Sequence, residues 1–238
     1  MKFEQLYSSS SGSLYTLANG SGKRLLIECG VTWKKLWKAL NYDLTDITAC
    51  ILTHSHKDHS KGAKVLLAAG IDVYGSAGTL DALKLTNRRR FKVVADKTLV
   101  RLEEFEILAF HTEHDAPDSL GFVVREKSTN EYLLFATDTS HLTQRFNLPF
   151  AIIAIECSYD KDILQQRVDS GDINETLAKR LLTSHMEKSN ALRYIDEFCD
   201  KSKLREIHLI HCSGDNLNKE QARKEFEEKF FIKTIIKT

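Results

Sequence analysis

The chain has 238 residues, 42% of them hydrophobic, so it can bury one substantial core, and its two prolines provide no proline-rich linker to divide it. A formal net charge of +1 excludes a protein that coats nucleic acid through bulk electrostatics, while a local basic patch stays open. No stretch approaches about eighteen uninterrupted apolar residues, and Met1-Lys2-Phe3-Glu4-Gln5 lacks an apolar leader core. The expectation is one soluble, cytoplasmic domain spanning residues 1–238, with no membrane contact. Five scattered cysteines without zinc-finger spacing read as reduced, buried thiols.

The first apolar run, residues 25–27, reads as a strand buried on both faces and ends in Glu28-Cys29-Gly30. Trp33, Leu36, Trp37 and Leu40 then follow helical spacing, which makes both tryptophans core anchors. A second run, 50–52, leads straight into Thr53-His54-Ser55-His56-Lys57-Asp58-His59. His54 and His56 are two apart, so in an extended segment they point the same way and can grip one ion. Asp58 opens a helix carried by Val65, Leu66 and Ala69, so that Asp58 and His59 project from its first turn toward a second ion. Imidazoles and a carboxylate, without a thiolate pair, favour zinc, manganese or iron over a structural Cys-rich zinc site. A chance His-rich surface turn is the competing reading, and the spacing outweighs it.

Lys84, Arg88, Arg89, Arg90 and Lys92 form a basic stretch, read either as a solvated face or as a guide for a phosphate backbone. Residues 92–126 alternate β-branched and aromatic residues with charges, as antiparallel strands do. Further buried strands are expected at 132–136, 151–155 and 207–210, ending in Thr137-Asp138, Glu156-Cys157 and His211-Cys212. Of the five cysteines, Cys212 is placed nearest the chemistry because it follows His211. Amphipathic helices are carried by Ile173, Leu177 and Leu181, by Leu192, Ile195 and Cys199 after Asn190, and by Ala222, Phe226 and Phe230 behind an Asn218/Gln221 cap. Metal-competent residues closing several apolar strands place the site along one sheet edge, as in open α/β architectures. The fold class expected is α/β (α+β), a sandwich of two mixed β-sheets with helices outside.

The HxHxDH segment, the turn after Leu26-Ile27-Glu28-Cys29-Gly30 and the later Ala136-Thr137-Asp138-Thr139 resemble the metallo-β-lactamase fold superfamily along essentially the whole chain. His114-Asp115-Ala116-Pro117-Asp118-Ser119-Leu120-Gly121-Phe122 is similar to the YycJ (WalJ) branch, and the C-terminal half to the tRNase Z group. The resemblance implies an αβ/βα four-layer sandwich and two divalent ions, zinc or manganese. It implies that His54, His56 and His114 hold the first ion, that Asp58, His59 and His211 hold the second, and that Asp138 bridges them. His111 competes with His114, but residues three apart on a strand face opposite ways, and the His-Asp-Ala-Pro context selects His114. His141 and His208 are left to surface and core roles.

Glu156 and His185, the latter in Ser184-His185-Met186-Glu187, are similar to the proton-transfer pair of the tRNase Z group. Glu28 stands where the superfamily usually has Asp, and no counterpart of the long tRNA-gripping arm is visible. Lactam-cleaving members with two zincs typically carry Cys where this chain has Asp138. The implied activity is therefore phosphodiester hydrolysis by a metal-bridging hydroxide, with Asp58 helping to fix ion and water and His185, oriented by Glu156, protonating the leaving oxygen. The substrate is a nucleotide or nucleic acid, as for a YycJ-like nuclease. Alternatives are a cyclic mononucleotide phosphodiesterase of the anti-Pycsar type, a lactonase or thioesterase, or a non-catalytic metal-binding module, which would lack at least one ligand. Helix faces rich in Leu and Phe leave room for a homodimer.

Overall fold

In the computed structural model, which describes residues 1–85 and 89–237, the chain forms two compact units, Met1–His111 with Ala116–Glu131 and Thr112–Asp115 with Tyr132–Thr238. The first unit begins with β1 (Lys2–Ser9), β2 (Gly12–Ala18), β3 (Arg24–Ile27), α1 (Trp33–Ala39), β4 (Ile47–Ile51), α2 (Lys57–Ser60), α3 (Ala63–Ala68), β5 (Val73–Gly75), α4 (Ala77–Ala82) and β6 (Phe91–Val93). Its sheet runs β1-β2-β3-β4-β5-β6, antiparallel from β1 to β3 and parallel from β3 to β6. β3 and β4 are therefore central, which explains why their sequences are uninterrupted apolar runs. Ile27 pairs with Ile51, so the two strands end together and Glu28 donates its backbone N–H to the Ile51 carbonyl at 2.9 Å.

Leu36 and Leu40 join Leu26, Cys50, Leu66 and Val73 in one buried cluster. Trp33 packs against that cluster, as expected of a core anchor. Trp33 and Trp37 flank that inward stripe, are half-buried, and stack on each other at 5.0 Å between ring centroids. The helix expected from Asp58 through Ala69 is divided, into α2 and α3, because the Gly62 N–H turns to the Cys29 carbonyl at 2.7 Å. β7 (Leu99–Arg101), β8 (Phe105–His111) and β9 (Leu120–Glu126) complete the unit as the expected antiparallel strands.

The second unit contains β10 (Glu131–Ala136), β11 (Phe146–Glu156), α5 (Lys161–Asp169), α6 (Glu175–Ser184), α7 (Lys188–Phe198), β12 (Cys199–Asp200), β13 (Glu206–Ile210), α8 (Lys219–Phe230) and β14 (Lys233–Ile236). β10, β11, β13 and β14 are neighbours in that order and all parallel, with β12 beside the start of β11. Parallel pairing brings the carboxyl ends of β10, β11 and β13 to one edge, where Glu156 closes β11, His211 follows β13 and Asp138 lies two residues beyond β10. Asn218 caps α8 by accepting from the Gln221 N–H, as the sequence indicates. α7 starts earlier than Asn190, because the Glu187 carboxylate accepts from the Ser189 and Asn190 N–H groups.

Glu126, buried at the end of β9, accepts a backbone N–H and a hydroxyl from each of Ser128 and Thr129. Burial opposes its charge, but these donors outweigh burial and hold the carboxyl at about 2. A folded value below the unfolded one stabilises the protein above the ordinary glutamate value, and that contribution is lost as pH falls through about 2. Chemical denaturation should show Glu126→Gln less stable than wild type by on the order of 2 kcal/mol at pH 7, with the gap closing toward pH 2.

Candidate active site

The β3 and β4 ends build the first cluster. Glu28 is fully buried with a left-handed backbone (φ 64°), a conformation retained only where surrounding contacts enforce it. Its Oε1 accepts from the Thr53 hydroxyl at 2.5 Å and the Thr53 N–H at 3.3 Å, and lies 3.4 Å from His59 Nδ1. Thr53 Oγ1 is also 2.8 Å from His54 Nδ1. A hydroxyl has one proton, and with that proton given to Glu28 the second bond requires His54 to donate from Nδ1. This selects the tautomer with Nε2 as the acceptor nitrogen, the form that ligates a metal.

The His54 ring lies 4.7 Å from His56 and 4.2 Å from His59, between centroids, and His59 Nε2 is 3.4 Å from Asp58 Oδ2. His54 and His59 are buried, while His56 and Asp58 are half-buried. Ser60 fixes this turn by donating to the carbonyls of Ser55 and His56. The turn is locked from beneath. Cys29 donates to the His59 carbonyl at 2.8 Å, and a Cβ on Gly30 would stand 1.5 Å from the Asp58 carbonyl oxygen. Gly30 is thus required for close backbone approach, a role that its place after the first strand leaves invisible in sequence.

The second unit holds the other cluster. Asp138, Glu156, His185 and His211 each offer a ligand-type atom, all within 4.8 Å of one another. Asp138 and His211, beyond β10 and β13, have φ of 48° and 51°. Glu156 Oε1 lies 2.7 Å from His185 Nδ1 and 3.3 Å from His211 Nδ1, and its Oε2 accepts the Thr139 N–H at 3.0 Å. Burial works against the Glu156 charge, but His185 and the imidazole hydrogen bonds overcome it and hold the carboxyl below its ordinary range. Burial likewise lowers His185, and Glu156 reverses that effect, leaving the imidazole above its ordinary value.

His114 Nδ1 sits 3.1 Å from the Ser184 carbonyl, and its Nε2 lies 3.1 Å from Asp115 Oδ1 and 3.7 Å from Asp138 Oδ2. Burial pushes His114 below its usual value despite Asp138 and Asp115, favouring the neutral, ligating form. Arg180 secures Asp115 at 3.0 Å. Thr53, Thr139, Ser184, Asp115 and Arg180 carry no signal of these supporting contacts in the sequence.

His111 is exposed at the end of β8, where its N–H donates to Asp96 Oδ1 at 2.9 Å, in the unit that does not contain Asp138. His141 is exposed, and His208 is buried beside Glu206 at 3.1 Å. Cys212 does not offer a ligand: burial pushes its thiol up to about 12, and its Sγ lies 3.6 Å from the Ile210 carbonyl. Of the basic stretch, Arg88 lies outside the described residues, Arg90 is paired with Asp72 at 2.9 Å, and Lys84, Arg89 and Lys92 lie along the exposed part of that segment. The donors in both clusters are imidazoles and carboxylates, a set that fits divalent zinc or manganese.

Residues 23–210 match the family model described as Beta-lactamase superfamily domain. The chain is 26% identical over 239 residues to "Exodeoxyribonuclease YycJ" of Bacillus anthracis, covering 94% of this chain and 86% of the relative. It is 29% identical over 245 residues to "Exodeoxyribonuclease WalJ" of Streptococcus pneumoniae, covering 93% and 85%. The metallo-beta-lactamase fold protein YhfI from Bacillus subtilis superposes with a TM-score of 0.73 at 20% identity, over 99% of this chain and 96% of that one. At that identity the likeness concerns the fold, and it bears out the expected αβ/βα class with mixed sheets. No helix among the described residues is long and apolar enough to cross a membrane.

Because Gly30 admits no Cβ beside Asp58, Gly30→Ala should displace the turn from His56 to His59. A loss of bound metal together with a lower Tm is the expected outcome, measured by elemental analysis and thermal unfolding. An alanine variant with full metal content would show that the turn tolerates the shift.

Proposed function

We propose, from the premise that the chain belongs to the beta-lactamase superfamily, that it is a divalent-metal-dependent nuclease hydrolysing phosphodiester bonds in nucleic acid. The observation that carries this reading is the 2.7 Å pair of Glu156 and His185 set within the same buried cluster as Asp138 and His211. The names of the exodeoxyribonuclease relatives support DNA as the first substrate to examine.

In this reading His54, His56 and His114 would hold one ion and Asp58, His59 and His211 a second, with Asp138 available to either. Bound divalent ions at such a site acidify water and neutralise charge on phosphoryl oxygens. The chain's own residues do the rest. Glu28, through Thr53, sets the His54 tautomer. Glu156, kept ionised by the Thr139 N–H and two imidazoles, accepts from His185 Nδ1 and so holds the proton of His185 Nε2 for a departing oxygen. The His185 side chain is 15% exposed, enough to be reached by substrate, while Glu156 is fully buried and acts through it. Asp58, 25% exposed, would orient the attacking water.

His185→Ala should retain metal and lose about 10²- to 10⁴-fold in kcat on a single-stranded oligonucleotide. On bis(p-nitrophenyl) phosphate, whose leaving group needs no proton, the loss should be far smaller. Equal losses on both substrates would remove His185 as the acid. Wild-type protein inert toward DNA, RNA and the small diester would overturn the nuclease reading in favour of a lactonase or thioesterase.

A further inference from the structure

A cavity of about 380 Å³ in the second unit is lined by His141, Leu142, Thr143, Asn190, Arg193, Tyr194, Glu197 and Phe198. That volume lies within the roughly 300–1,000 Å³ of small-molecule sites. Both of its walls continue the segments that carry the Asp138 and His185 cluster. One wall follows from Asp138 through Thr139, which donates its N–H to Glu156 and its hydroxyl to the His141 carbonyl at 2.8 Å. The other is α7, which opens three residues after His185. Asn190 ties the walls together by donating to the Ser140 carbonyl at 3.5 Å.

The floor and the rim differ in chemistry. Tyr194 and Phe198 stack at 5.6 Å between centroids, and Tyr194 is anchored by its hydroxyl donating to the Gln144 carbonyl at 2.9 Å. The Arg145 guanidinium covers the Phe198 ring at 4.1 Å, so it is held in place while remaining exposed. Arg193, also exposed, is directed along the same helix by the Asn190 side-chain oxygen at 3.2 Å. Thus a recess with two aromatic side chains has the Arg193 guanidinium in its lining and the Arg145 guanidinium over one of its rings, a combination that holds a base or sugar together with a phosphate. Glu197 in the lining accepts hydrogen bonds and suits a sugar hydroxyl or an exocyclic amine rather than the phosphate.

We infer that this cavity is a subsite for the nucleotide flanking the scissile bond, with Arg193 and Arg145 binding its phosphate and the Tyr194–Phe198 wall receiving its base or sugar. The inference rests on the nuclease reading for the identity of its occupant. Its residues are distinct from the Asp138, Glu156, His185 and His211 cluster, so the role is binding and positioning.

The test measures binding of a fluorescently labelled single-stranded tetranucleotide with phosphorothioate linkages, which resist turnover, to the metal-loaded full chain by anisotropy over a series of salt concentrations. Arg193→Ala should weaken binding at least tenfold. It should also reduce the slope of log affinity against log salt by about 0.7 for the lost phosphate contact, a change that general loosening of the fold would not produce. Because Arg193 is exposed, the variant is expected to fold, and Arg193→Lys should recover part of both effects. Unchanged affinity and slope in Arg193→Ala and in the Arg145→Ala/Arg193→Ala double variant, or no binding by wild type, would overturn the subsite. Hydrolysis of bis(p-nitrophenyl) phosphate by the metal-loaded wild type is read in parallel. It tests the nuclease chemistry independently of any flanking nucleotide.

Discussion

The structure depends on the burial of ionisable groups at the ends of apolar strands. Glu28, His54, His59, Asp138, Glu156 and His211 are all essentially withdrawn from water. An isolated charge in such a place would be strongly destabilising, so each must be matched by an opposite charge, a hydrogen bond or a cation. Within the protein the matching is partial and directional. Glu28 Oε1 accepts from Thr53 and faces His59, and Glu156 accepts from His185, His211 and the Thr139 N–H. These internal bonds use the Nδ1 side of His54, His185 and His211 and leave Nε2 as the coordinating or proton-holding nitrogen.

The same constraint explains the backbone. Glu28, Asp138 and His211 adopt left-handed φ values that strand residues avoid. In each case the chain leaves a parallel strand and turns at once, so the side chain is delivered to the sheet edge instead of continuing along the strand. Gly30 serves the same end by letting the turn after β3 approach the Asp58 carbonyl more closely than any other residue would. Strain and close contact here are the means by which rigid strands aim polar groups.

Much of this was legible in the sequence because it rests on periodicity and punctuation. Apolar runs at β3, β4, β10, β11 and β13 appear as strands, and the polar residue after each names the site edge. The strand argument for separating His111 from His114 does not apply, because β8 ends at His111 and His114 lies in the segment beyond it. What stayed hidden depends on three-dimensional approach: the Thr53 relay, the Ser184 carbonyl beneath His114, and the Gly62 N–H that divides one expected helix into two. Helical spacing gives the face of a helix but not how deeply its flanks are covered, so the half-burial of Trp33 and Trp37 was not legible. The cavity beside α7 was invisible for a related reason, as its residues come from two segments about fifty positions apart.

The two histidine–carboxylate clusters offer the donor set of a divalent-cation site. Metal analysis of the full chain, stripped with chelator and reloaded with zinc or manganese, tests it most directly when combined with thermal unfolding. About two tightly held ions per chain, with a Tm that rises with metal concentration as linkage requires, is the expected result. Fewer than one ion per chain, with a Tm indifferent to metal, would contradict it.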